Sequence, residues 1–490
     1  MASKLSVYRM TTLIQGGWVV GNDGKEHRLI DNGVVVFDEN KVIYVGKSYS
    51  GQVDNYIDAR GKIISPGFID THFHAQTPIM NSAFTIDVDY KLTFGNPNIP
   101  YAPTKEKAKF MALSDENFRS AAEYSLCSLL KSGCTTVLEM GAGRDILVEL
   151  VGKLGLRAYL GPGFRSAEDY TGEDGTFYNK EWDEERGLKG LEHAVEFIKK
   201  YDGAYNGRVN GILNPMQVDF CTPTLLKEVR LAANKIGAPI SIHAGQRIYE
   251  FQEIIRRYKK TPIGYLESTD LLGPDLIIAH CMMVSGHDWT AYAGDDDIEA
   301  LARTKTSVAH CPLVAARTSC FLKSFNRYLR AGVNISIGTD TWPLDIISEM
   351  RYASIIGKIV DGSSGSATSA QVFNSATIGG AMALRRQDLG RLVKGSKADI
   401  VIIRTDNFRF TPIADPIKSL VNAGTLDDVE TVIVDGNKVI EDGKVLAVDE
   451  VSLRKTVLKA AEEEWAKVPL WDWSNRSIYD IGPLSFKPFE

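Results

Sequence analysis

His72 and His74 close the segment Ile63-Ile64-Ser65-Pro66-Gly67-Phe68-Ile69-Asp70-Thr71-His72-Phe73-His74. The segment opens apolar and β-branched, as a strand buried on both faces does. Pro66 and Gly67 punctuate it, and a second apolar step leads to Asp70. Residues two apart on a strand point to the same side, so both imidazoles are presented together at a strand's carboxyl end. Neutral imidazole is the common ligand of zinc and similar divalent ions. The plain alternative is a pair of polar strand residues facing water. Placing two of only eight histidines at this spacing, after an apolar strand, favours a metal site.

The same arrangement recurs down the chain. Pro239-Ile240-Ser241-Ile242-His243, Asp275-Leu276-Ile277-Ile278-Ala279-His280 and Ser307-Val308-Ala309-His310 are apolar runs ending in histidine. Val333-Asn334-Ile335-Ser336-Ile337-Gly338-Thr339-Asp340 ends in aspartate instead. Five of the eight histidines therefore sit at the ends of predicted strands. His27 and His193 have no such context and read as surface or structural, and His287 is left open. For Asp340, a helix N-cap after a tight turn is the competing reading.

The elements that must position these residues alternate. Between about 63 and 385, apolar strands alternate with helical stretches, as repeated βα units do. A helix is predicted over 115–132, opening with the capping-type acidic residue Asp115. The segment 75–113 is rich in Pro, Asn and Thr and reads as a long loop, of the kind that forms lids or binding surfaces. Its aromatics Phe84, Tyr90, Phe94 and Tyr101 either line a pocket or pack the loop down. Residues 1–62 carry short strands at hairpin spacing, and that texture returns near 398–436. Two β-rich pieces flanking an α/β middle suggest one small sandwich assembled from both termini. Near the end, Trp465, Trp471 and Trp473 are costly to leave in water and are read as an oligomer contact in preference to packing on the chain itself.

Composition narrows the function classes. The chain has 490 residues, 44% hydrophobic and 24% charged, with ample material for a large core. The net charge of −6 disfavours nucleic acid and anionic membrane as partners. The start lacks the apolar run of a signal peptide, and no uninterrupted apolar stretch of about 18 residues occurs. Six cysteines without CxxC pairing read as reduced thiols in a cytoplasmic enzyme.

Pro-Gly-Phe-Ile-Asp-Thr-His-Phe-His resembles the signature of the metal-dependent amidohydrolase superfamily, in its mononuclear deaminase-like branch. The resemblance extends over most of the chain. It implies a (β/α)8 TIM-like barrel with a small β-sandwich built from both termini. The expected division is 1–62 and 386–450 for the sandwich, 63–385 for the barrel and 451–490 for a C-terminal helix and tail. In such a barrel the strand ends converge on one face, where the active site lies. Binuclear members place a carboxylated lysine near the fourth strand, but no lysine lies between Lys200 and Lys227, so one metal ion is expected. By this resemblance His72, His74, His243 and Asp340 hold it, zinc in first place and Mn, Fe or Co as alternatives. A metal so held lowers the pKa of its water towards about 7. Asp340 would accept the water's proton and His280 would orient the water or stabilise the oxyanion. Gln76, His310 and Trp342 are expected against the substrate.

The chain departs from the family pattern at one position. Many deaminase-like members carry Glu three residues after the fifth-strand histidine, and this chain has Gln246. A neutral amide hydrogen-bonds but is no general acid. Glu250 is a candidate replacement. The Ser-Asn pair that often follows the seventh-strand His-Cys-Pro is also missing. These departures favour a linear, uncharged substrate, an amide, urea or (thio)carbamate, with similarity to phenylurea and molinate hydrolases. The alternative is a deaminase or dechlorinase of an N-heterocycle, such as an aminotriazine or purine-like ring, with Gln246 positioning the ring. A third reading, a barrel without catalysis, conflicts with the retained ligand set. A homo-oligomer is expected.

Overall fold

The computed structural model describes residues 10–84, 103–174 and 181–489. Strands from both ends of the chain meet in one seven-stranded sheet, in which Ile400–Ile403 pairs antiparallel with Ile63–Pro66 and Trp18–Asn22 pairs parallel with it. A second sheet of four strands is ordered Lys41–Gly46, Val34–Asp38, Thr11–Gln15, Asn55–Asp58. Alternation sorts the side chains between them. Ile64, Ile400, Ile402 and Ile433 pack with Ile14, Val35 and Phe37 of the four-stranded sheet. Ile63, Val401 and Ile403 point the other way, into the main core. Burial on both faces is the reason these runs read as unbroken apolar stretches.

Read from the sequence, the whole of Ile63 to His74 belongs to the barrel, punctuated at Pro66 and Gly67. The structure divides it. Ile63–Pro66 belongs to the terminal sheet, and the first parallel strand begins at Phe68. Proline has no N–H to continue a ladder, and Gly67 N–H is donated sideways to Asp399 O.

Eight parallel strands follow: β1 (Phe68–Phe73), β2 (Cys134–Glu139), β3 (Arg157–Leu160), β4 (Val209–Gly211), β5 (Ile240–Ala244), β6 (Leu276–His280), β7 (Ser307–His310) and β8 (Ile335–Ile337). They form two sheets, ordered β4-β3-β2-β1 and β5-β6-β7-β8. Backbone bonds join the sheets at both margins. Ser241 N–H donates to Leu213 O at 2.9 Å, and on the other side Asp340 N–H donates to His72 O at 2.8 Å and His74 N–H to Asp340 O at 2.9 Å. β8 approaches β1 so closely that a Cβ on Gly338 would lie 2.7 Å from the Cβ of His72. Only glycine fits there.

Helices separate the strands. Asp115–Lys131 matches the predicted helix, but its cap is Ser114, whose side chain accepts from Asn117 N–H, and not Asp115. Part of the long loop is helical, over Thr77–Phe84. Tyr90, Phe94 and Tyr101 lie outside the described residues.

The tryptophan-rich end packs on its own chain, contrary to the oligomer reading. Trp471 is buried in a cluster with Val468, Ile478 and Ile481, against Met80 and Ala83 of the Thr77–Phe84 helix. Trp465 Nε1–H donates to Ile79 O at 2.7 Å. Trp465 and Trp471 find apolar cover within the chain, and Trp465 a polar partner as well, while half-buried Trp473 has Arg476 over its ring at 5.4 Å. Among the described residues, no helix is long and apolar enough to cross a membrane.

Candidate functional site

The carboxyl ends of β1, β5, β6 and β8 bring His72, His74, His243, His280 and Asp340 together. Two triads, His72–His243–His280 and His72–His74–Asp340, each have ligand atoms within 4.8 Å of one another. Asp340 Oδ1 stands 3.5 Å from His72 Nε2 and 3.4 Å from His74 Nε2, and its Oδ2 is 3.9 Å from His280 Nε2. His74 and His243 face each other, Nε2 to Nε2, at 3.2 Å. Asp340 is not a helix N-cap; that role falls to Asp345, which accepts from Ile347 and Ser348 N–H. His280 and Asp340 both adopt left-handed backbone, φ 72° and 58°. Non-glycine residues pay a conformational penalty there, and such strain clusters at functional sites.

Two main-chain carbonyls set the tautomers. His74 Nδ1–H donates to Met140 O at 2.8 Å, and His243 Nδ1–H donates to Met216 O. A histidine whose Nδ1 carries the proton presents a bare lone pair at Nε2. Two such lone pairs 3.2 Å apart repel unless a proton or a cation lies between them. Protonation is disfavoured. Burial, with His72 next, pushes His74 down to about 4, and burial holds His243 well below the usual range. Neither nitrogen of His72, nor Nε2 of His280, has a hydrogen-bond partner among the described residues. The separations match the edge of about 3.3 Å expected between donors of a tetrahedral zinc with bonds of about 2.0 Å. The donor set fits a divalent ion. Burial alone would raise the Asp340 carboxyl; the His72 ring beside it and the imidazoles of His280 and His74 overcome this and hold it well below the usual carboxylate range.

The remaining candidates are placed less centrally. Gln246 and Trp342 are half-buried beyond β5 and β8, and Arg317 Nη2–H donates to Trp342 O at 2.5 Å. Gln76 carries a buried Oε1 without a partner among the described residues, as does Nδ1 of His310 at the end of β7. Among the histidines without strand context, His287 is structural, its Nδ1 accepting from Trp289 N–H at 3.1 Å. Glu250 is turned away from the cluster toward backbone amides of Gly245 and Gln246. Sequence reasoning missed Glu139, which is fully buried at the end of β2 and accepts from Ala142 N–H at 2.9 Å and Ala75 N–H at 3.4 Å. It also missed the carbonyls of Met140 and Met216. A carbonyl leaves no trace in residue type, but a glutamate ending an apolar strand did offer a signal.

The amidohydrolase family profile matches residues 63–439. The chain belongs to the amidohydrolase family. It is a metal-dependent hydrolase of C–N bonds other than peptide bonds. This amidohydrolase is 31% identical over 437 residues to a 5-methylthioadenosine/S-adenosylhomocysteine deaminase of Thermococcus onnurineus (strain NA1), covering 88% of this chain and 95% of that one. It is 29% identical over 455 residues to a 5'-deoxyadenosine deaminase of Methanosarcina barkeri (strain Fusaro / DSM 804), covering 92% and 98%. An adenosine deaminase from Xanthomonas campestris with bound zinc superposes with a TM-score of 0.79 at 19% identity, over 93% of this chain and 98% of that one. A variant atrazine chlorohydrolase from Arthrobacter aurescens TC1, complexed with zinc and atraton, gives 0.78 at 22%, over 92% and 100%. At such identities the solved structures speak for the fold, a TIM barrel with a small accompanying domain.

These relatives overturn the expectation of a linear amide, urea or (thio)carbamate as substrate. Both relatives, which match across about nine-tenths of the chain, are named as deaminases, of 5'-deoxyadenosine and of 5-methylthioadenosine/S-adenosylhomocysteine. The linear expectation leaned on Gln246 and on the missing Ser-Asn pair. A neutral amide still hydrogen-bonds a ring nitrogen, so its presence never excluded a heterocycle.

Proposed function

We propose that this amidohydrolase deaminates an amino-substituted purine-type ring, with a 5′-modified adenine nucleoside as the leading substrate class and one divalent ion, zinc, as cofactor. The observation that carries the reading is the buried cluster of four imidazoles and one carboxylate, in a chain whose relatives at 29–31% identity are named as such deaminases. In this reading His72, His74, His243 and Asp340 hold the ion. The eight parallel strands make one closed (β/α)8 barrel within 63–385, entered at Phe68. The sandwich comprises 1–62 and 386–450 together with Ile63–Pro66, and 451–490 forms the helix and tail.

Bound there, the ion supplies Lewis acidity that brings a water's pKa toward neutrality. Asp340 remains ionised and takes the proton of the water that adds to the amino-bearing ring carbon. The same carboxyl returns that proton to the departing nitrogen, which leaves as ammonia. His280 stands beside Asp340 Oδ2 and orients the water. Burial holds its ring neutral, pushed down to about 3. Gln246 holds a ring nitrogen by hydrogen bond without delivering a proton. The substrate ring must therefore be electron-poor enough to accept attack with less help. Gln76, His310 and Trp342 form the rest of the substrate side.

The test is ammonia release from 5′-deoxyadenosine, 5′-methylthioadenosine and an aminotriazine by zinc-loaded protein, with the product identified by mass. Conversion of the nucleosides to their oxo products supports the reading. A zinc-loaded protein that releases ammonia from none of them overturns it.

A further inference from the structure

Glu250 is 1% exposed, yet its carboxyl is turned to the chain and not to the histidine cluster. Oε1 accepts from Gly245 N–H at 2.5 Å; Oε2 accepts from Gln246 N–H at 3.2 Å and from Gln217 Nε2–H at 3.3 Å. Each donor belongs to a segment that places a member of the cluster. Gly245, at φ 64°, makes the turn after His243, and a Cβ there would sit 3.0 Å from Met283 O. Its own carbonyl accepts from Met282 N–H at 2.8 Å and Met283 N–H at 2.7 Å, which fixes the chain leaving His280. Gln217 pairs as a parallel bridge with His243 and follows Met216, whose carbonyl takes the Nδ1 proton of that histidine. Gln246 is the residue proposed to meet the substrate ring.

We infer that Glu250 is a positioning residue for the metal cluster, tying the Gly245-Gln246 turn after β5 to the side chain of Gln217, and through Gly245 O to the chain leaving β6, so that His243 and His280 present their Nε2 atoms to one point. The inference rests on the metal reading above. It also removes Glu250 from the role of substitute proton donor, since its oxygens are engaged by three N–H groups. Burial, with Asp219 next, pushes the Glu250 carboxyl up, and the N–H groups of Gly245 and Gln246 work against that shift; as a carboxylate it offers acceptor sites on both oxygens and no donor. A glutamine of the same size offers one acceptor oxygen and turns an NH2 toward N–H groups. Partners of metal-bound histidines typically contribute 10–100-fold to metal affinity or activity.

The experiment compares wild type, Glu250→Gln and Gln217→Ala in two readouts that need no substrate and in the pH profile of ammonia release. Zinc affinity is measured by chelator competition, and ligand geometry by the visible spectrum of the cobalt(II)-loaded protein. E250Q is expected to bind zinc about 10–100-fold more weakly with an altered cobalt spectrum. Q217A is expected to shift both in the same direction by less. Wild-type zinc affinity and an unchanged cobalt spectrum in folded E250Q overturn the inference. So does loss of the acid limb of the rate profile with zinc binding intact, which would make Glu250 a proton donor. Should E250Q not fold, Q217A decides alone, and unchanged zinc affinity there counts against the inference. A wild-type protein that binds neither zinc nor cobalt sinks the metal reading itself, a result distinct from any of these.

Discussion

At the scale of single residues, Asp340 and Gln246 carry opposite expectations. Among the described residues, Asp340 is the one carboxylate within 4 Å of three cluster imidazoles. Asp340→Asn keeps the shape but removes the proton acceptor, and kcat is expected to fall at least about 10³-fold, within the range of general-base catalysis and above it if the metal is lost as well. Gln246→Glu supplies an acid where the chain has an amide. Ammonia release from an aminopurine is expected to rise about tenfold or more, with the gain largest below neutral pH where the new carboxyl is protonated. Away from the site, His27 gives a pH prediction. Burial is the main cause that pushes it down to about 4, and its ring packs edge-on against Phe373 at 5.3 Å. The unfolded chain therefore binds a proton between pH 6.5 and 4 that the folded chain refuses. Stability present above pH 6.5 is lost as pH falls through that window, by about 2 kcal/mol after allowing for partial solvent contact. His27→Gln is expected to flatten that slope in urea midpoints measured at pH 7 and pH 4.5.

At the scale of elements, the Thr77–Phe84 helix begins three residues after His74 and depends on the C-terminal segment for its cover. Trp471 is 2% exposed within that contact. Trp471→Ala is expected to cost about 3–5 kcal/mol. Hydrogen exchange should then quicken in residues 77–84, and an unchanged exchange rate there would mean the helix stands without the tail. This packing was not legible beforehand. The sequence showed that three indoles needed cover but not which surface supplied it, because contacts nearly 400 residues apart depend on how the parallel strands bring the chain round. The strands of the site were legible: residues buried on both faces leave apolar runs, and a histidine or aspartate ending such a run stands out. The Ile63–His74 break was less so, since Pro66-Gly67 reads equally as a kink or as a change of sheet.

At the scale of the whole molecule, a buried ionic cluster ties the parallel strands to the terminal sheet. Arg157, 1% exposed at the start of β3, pairs with Asp399 and lies 3.6 Å from Asp435, which also receives Lys397 Nζ at 2.6 Å. Removing one partner of a buried pair strands the other charge. Arg157→Met is expected to cost about 3–5 kcal/mol, read as a lower urea midpoint. A midpoint shift under about 1 kcal/mol would show that Lys397 suffices for both carboxylates.

By itself the sequence determined the strands that end in histidine or aspartate, because burial and alternation are written in residue type; the grouping of those ends into one ligand set and the union of both termini in one β-rich unit were legible only through the family resemblance. The tertiary structure decided the rest. It fixed the Nδ1–H tautomers of His74 and His243 through the carbonyls of Met140 and Met216, turned the Glu250 carboxyl toward backbone amides, and packed Trp465 and Trp471 inward. Those outcomes depend on main-chain atoms and on long-range approach, and neither carries a signature that residue types reveal.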